Sequence, residues 1–197
     1  MNRFIIWAGV LSLMLVPVLV AAFSPLLAWR DPIYIFAGFC GIFALAIFLL
    51  QPLLAAQIMP GLSPRASQRL HRLAGLVVVS AVLAHVIGLW ITSPPDVVDA
   101  LLFTSPTPFS GWGVVAMWAV FCAAGLLVVR RRLGLRLWRA VHSVLVALAV
   151  AGTIVHALLI EGTMGPVSKW ILCLCVAAAT SYVIFRKRAW RVLFERP

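Results

Sequence analysis

The residues most able to do chemistry in this chain are its only four histidines, His71 and His85 with thirteen residues between them, and His142 and His156 with thirteen between them. Imidazole binds metals through a ring nitrogen and relays protons, so both uses are open at the outset. If each pair lies on a helix, fourteen steps advance ~21 Å and end about 40° short of four full turns, which puts both members on one face. Two such helices side by side present two facing His–His couples, one above the other. That is the geometry needed to hold two haems in a stack.

The elements that must position them are membrane helices. A chain of 197 residues that is 64% hydrophobic, with mean hydropathy +1.11, lies far outside the range of soluble proteins. Cys40, Cys122, Cys173 and Cys175 sit in apolar runs without a CxxC or CxxCH spacing, so neither a disulfide framework, a zinc site nor covalent haem attachment is indicated. The net charge of +11 is not interleaved with a soluble fold. It points to loops facing anionic lipid and not to nucleic acid.

The first apolar run, Ile5 to Phe23, resembles a signal peptide but is longer than a usual one, and reads as a retained helix bent at Pro17. Asp31-Pro32 opens a second helix by N-cap and first-position proline, running to about Leu50, with Pro52 to Gly61 as a turn or interfacial segment. Ser63-Pro64 repeats the signal for a third helix, to about Ile91. The stretch from Thr92 to Gly111 holds four prolines and no basic residue, and its DVVDALLF portion suits a short surface helix. Further helices fall at about 112–129, 138–160 and 167–185, giving an all-α bundle of six transmembrane helices in a single haem-binding domain.

Charge orients the bundle. With a cytoplasmic N-terminus, fourteen of the sixteen basic residues fall on that side. Only Arg30 and Lys169 face out, beside Asp31, Asp96, Asp99 and Glu161, which are four of the five acids. Both termini are therefore expected in the cytoplasm of a multi-pass inner (plasma) membrane protein. The third and fifth helices then run parallel, which levels His71 with His142 near the cytoplasm and His85 with His156 nearer the outside.

Two imidazoles fill both axial positions of a b-type haem, so such a haem carries electrons without an open site for oxygen. Two haems ~21 Å apart bridge much of a ~30 Å hydrocarbon core. Gly75, Ala81, Gly88 and Gly152 offer close approach for a flat macrocycle, although small residues also serve ordinary helix packing. Arg69, Arg72 and Arg139 lie where inner propionates would point, with Arg65 and Arg136 nearby, and each is equally an ordinary positive-inside anchor. Trp90, Trp112, Trp118 and Trp170 are interface anchors or neighbours of a haem, and Asp96 and Asp99 are solvated acids or an attraction for a ferric complex. The rival reading is a non-redox transporter or proton pathway using the histidines directly.

The segments RLHRLAG and RRRLGLRLWRAVHSV, with the four histidines, make the chain similar to the ferric-reductase-like transmembrane superfamily. That resemblance implies a six-helix bundle with two stacked b haems ligated by His71, His85, His142 and His156. It implies electron flow from a cytosolic flavin to an acceptor outside. Ferric reductases, superoxide-generating oxidases and the haem subunit of a periplasmic methionine-sulfoxide reductase belong to it. No GxGxxG or βαβ pattern occurs in these 197 residues, so no flavin or NADPH domain is expected, and the donor is a separate cytosolic flavoprotein reductase or membrane quinol. Flavin or quinone would act only through that partner or transiently. The stand-alone architecture and RRRLGLRLW stretch look more like the sulfoxide-reductase subunit, whose usual histidine set differs somewhat. The Pro-Glu-Trp-Tyr motif of quinol-oxidising cytochrome b is absent.

Overall fold

A computed structural model describes residues 2–186. The basic tail residues Lys187, Arg188, Arg191 and Arg196, counted above on the cytoplasmic side, lie outside that range. The described residues form α1 (Arg3–Ala22), α2 (Pro32–Ala56), α3 (Pro64–Thr92), the short α4 (Pro94–Leu101), α5 (Ser110–Val129), α6 (Leu135–Leu159) and α7 (Pro166–Arg186), with a 3-10 turn at Pro25–Leu27. Six of these helices, all except α4, are long and apolar enough to cross a membrane. The protein is an all-α, multi-pass membrane bundle.

The helix starts follow from local chemistry. The Asp31 carboxylate accepts from the amides of Ile33 at 2.7 Å and Tyr34 at 3.2 Å, and Pro32, which has no amide to satisfy, occupies the first turn. Ser63 Oγ accepts from Ala66 N at 3.2 Å ahead of Pro64 in the same way. One boundary departs from expectation. Pro52 does not open a turn: α2 passes through it to Ala56 and stops at Gln57, which turns left-handed at φ 58. A proline costs a membrane helix little where neighbouring helices surround it, and Pro52 is buried.

Two contacts fix the direction of α1. Trp7 Nε1 donates to Pro60 O at 3.0 Å, joining its start to the α2–α3 turn, and Val20 near its end approaches Gly165 in the α6–α7 turn. The long helices then alternate up and down. One end of the bundle gathers Arg3, Arg65, Arg69, Arg72, Arg130, Arg131, Arg132, Arg136, Arg139 and Arg186; the other holds Asp31, Asp96, Asp99 and Glu161. We call these the basic and acidic ends.

Packing divides the bundle into two antiparallel hairpins, α2 against α3 and α5 against α6. Helix α7 touches both α2 and α6, and α1 leans on α2 and α7. The core lies where they meet, around Leu45, Leu49, Val150, Leu172 and Val176. The histidine-bearing helices α3 and α6 share no packed interface with each other.

Candidate functional site

His71 and His85 lie on α3, His142 and His156 on α6, and both helices run from the basic to the acidic end. At the acidic end the rings of His85 and His156 are 6.5 Å apart, centroid to centroid, with planes at 82°. Toward the basic end, His71 and His142 are each the eighth residue of their helices, α3 and α6. The fold brings His85 together with His156 and sets His71 and His142 at matching positions on their parallel helices.

Backbone carbonyls hold three of the four imidazoles. His85 Nδ1 meets Ala37 O at 2.7 Å, His156 Nδ1 meets Phe109 O at 2.8 Å, and His71 Nδ1 meets Gln51 O at 3.2 Å. A carbonyl only accepts, so the proton of each of these rings sits on Nδ1. Their Nε2 atoms keep the lone pair that a metal needs, and a bonded Nδ1 both orients the ring and strengthens it as a ligand. Ala37 and Gln51 are fourteen residues apart on α2, the same interval as His85 and His71 on the antiparallel α3. One helix thus supports both histidines of its neighbour.

His142 differs. Its Nδ1 is buried without a hydrogen-bond partner, and its ring stacks on Trp138, centroids 5.2 Å apart and planes at 9°. Gln51 Oε1 and Trp138 Nε1 are also buried and unpartnered. These orphaned atoms belong to the basic-end level.

Glycine makes room for the rings. A Cβ on Gly113 would lie 2.7 Å from His156 Nδ1, and one on Gly41 3.2 Å from His85 Nδ1. The glycines singled out from sequence do something else. A Cβ on Gly75 would meet Gln51, one on Gly88 would meet Ala37, and one on Gly152 would meet Trp112 O and Ala116. They seat α3 on α2 and α6 on α5, which is the helix-packing role among the two that the sequence left open for them.

The residues present fit a metal-bearing macrocycle: His85 and His156, 6.5 Å apart with Nδ1 engaged, could both hold its metal through Nε2. The unpacked interval between α3 and α6 is where a flat macrocycle would lie. Among the described residues no three His, Cys, Asp or Glu side chains gather as a bare-metal cluster.

Arg69, Arg72 and Arg139 are exposed at the basic end, on the opening turns of α3 and α6. Trp90, Trp112, Trp118 and Trp170 are 46–55% exposed and face outward. Cavities of ≈ 160 and ≈ 340 Å³ lie between α1 and α7, lined by apolar residues such as Val16 and Ile171, away from the histidines. Sequence reasoning missed the carbonyls of Ala37, Gln51 and Phe109, which any residue type can supply, and the stacked Trp138, four residues before His142.

The fold defines an all-α multi-pass membrane bundle that carries its four imidazoles on two parallel helices. The family described as ferric reductase like transmembrane component matches residues 40–153, more than half of the chain, and the protein belongs to it. The matched span contains His71, His85 and His142, with His156 three residues beyond. Domains of this family generally bind haem, and membership gives the chain a general role in membrane electron transfer. No curated protein and no solved structure matches the chain.

Proposed function

We propose that this protein moves electrons across the membrane by holding two b-type haems, one between His85 and His156 and one between His71 and His142. The observation that carries the reading is the acidic-end couple: two rings 6.5 Å apart, each with Nδ1 committed to a backbone carbonyl. A haem so ligated exchanges single electrons and offers no open iron position to oxygen. The protein's share is to fix ring orientation, exclude water and space the two levels ~21 Å apart along α3 and α6. Arg69, Arg72 and Arg139, exposed at the basic end, would meet propionates there, and that end would face the cytoplasm by the positive-inside bias. The donor is a cytosolic flavoprotein docking on that face, or quinol from the bilayer, and the acceptor is met at the acidic end.

The absorption spectrum of purified protein tests this directly: low-spin b-type bands at two haems per chain are expected, and colourless protein after expression with ample haem would overturn it. The His85→Ala variant is expected to retain one haem that a cytoplasmic-side donor still reduces, with transfer to outside acceptors abolished. Full transmembrane transfer in that variant would refute the serial arrangement.

A further inference from the structure

The four imidazoles are not held alike. Three have Nδ1 tied to a main-chain carbonyl, at Ala37, Gln51 and Phe109, while His142 Nδ1 is buried with no partner. An axial imidazole with only its Nε2 bonded to iron is free to swivel about that bond, and the carbonyl bond is what stops it elsewhere. At His142 the neighbouring group is instead the indole of Trp138, stacked nearly parallel at 5.2 Å and 9°. The two residues are four apart on α6, so successive turns of one helix place the rings over one another. The Arg130 guanidinium lies over the same indole at 4.9 Å, a cation–π contact that ties Trp138 to the loop before α6.

We infer that Trp138 is the positioning residue for the basic-end ligand His142, fixing by ring stacking the imidazole plane that the other three histidines have fixed by carbonyl hydrogen bonds. This rests on the two-haem reading above. The indole N–H is unpartnered, so its hydrogen bond is not what acts; the ring face is. Phenylalanine keeps an aromatic face and drops the N–H, whereas leucine stays apolar and loses the face.

The test uses the full chain loaded with haem, as wild type, Trp138→Phe, Trp138→Leu and His142→Ala, read by ferric-haem electron paramagnetic resonance and spectroelectrochemical titration. The low-spin signal depends on the angle between axial imidazole planes, and the midpoint potential on ligand donor strength. Trp138→Leu is expected to alter the signal and potential of one haem only, or to lose that haem, while the other keeps its wild-type values. Trp138→Phe is expected to match wild type on both readouts. Wild-type behaviour of Trp138→Leu, or equal disturbance in Trp138→Phe and Trp138→Leu, overturns the inference. A wild-type chain without haem, or His142→Ala with both haems intact, overturns the underlying reading instead.

Discussion

At the scale of single residues, the site is shaped as much by what is missing as by the imidazoles. Gly113 and Gly41 leave the space that His156 and His85 occupy, and the tightness differs: 2.7 Å from an added Cβ to Nδ1 at Gly113 against 3.2 Å at Gly41. Gly113→Ala must therefore push the His156 ring off the Phe109 carbonyl, while Gly41→Ala asks for a few tenths of an ångström. We expect Gly113→Ala to lose about half of the bound haem and Gly41→Ala to keep most of it. Gly125→Ala, where an added Cβ meets nothing within 4 Å, is the control. It removes a helix glycine and gains up to about 1 kcal/mol in propensity. Haem stoichiometry with thermal melting distinguishes the three, and full haem content in Gly113→Ala would show that the ring has room to move. The histidines were readable from sequence because they are few and regularly spaced. Gly113 was not, because nothing in the order of residues ties position 113 to position 156.

At the scale of elements, the α2–α3 hairpin is the better-built half of the site. Ser67, 1% exposed, donates from Oγ to Leu54 O at 2.8 Å, and Gly75 and Gly88 let α3 settle on α2. This contact keeps Ala37 and Gln51 opposite His85 and His71. Ser67→Ala removes one buried interhelical bond and is expected to destabilise the bundle by about 0.6–1.7 kcal/mol, seen as a lower melting temperature in detergent with haem content unchanged. An unshifted melting curve would mean that the serine adds nothing to the packing. Element starts at Asp31-Pro32 and Ser63-Pro64 were legible because capping is local chemistry. The end of α2 was not: Pro52 reads as a break by its own nature, and only the helices around it make it tolerable.

At the scale of the whole molecule, the charge sorting that aligned α3 with α6 is a property of the entire chain, and so it survived errors at individual boundaries. The partition into two hairpins did not show in the sequence, since apolar helices of similar composition carry no mark of which neighbour each will choose. Sidedness is checked by cysteine labelling in a cysteine-free background. Glu161→Cys, exposed at the acidic end, is expected to react with an impermeant reagent added outside intact cells. Gln68→Cys, exposed near the basic end, is expected to react only after the membrane is opened. The reverse pattern would place the donor and acceptor on exchanged sides.

The absence of a packed interface between α3 and α6 has a consequence for how the protein holds together. On the proposed reading, the surfaces that other bundles spend on helix–helix contact are here reserved for cofactor, so ligand binding contributes directly to the stability of the fold. Chains made when haem is scarce would rely on α7, on α4 and on the smaller contact of α3 with α5 to join the two hairpins, with buried polar atoms of His142, Gln51 and Trp138 left uncompensated. On that reading the bundle without haem is expected to melt at a lower temperature than the loaded one, and equal melting of the two would show that the cofactor adds nothing to the fold.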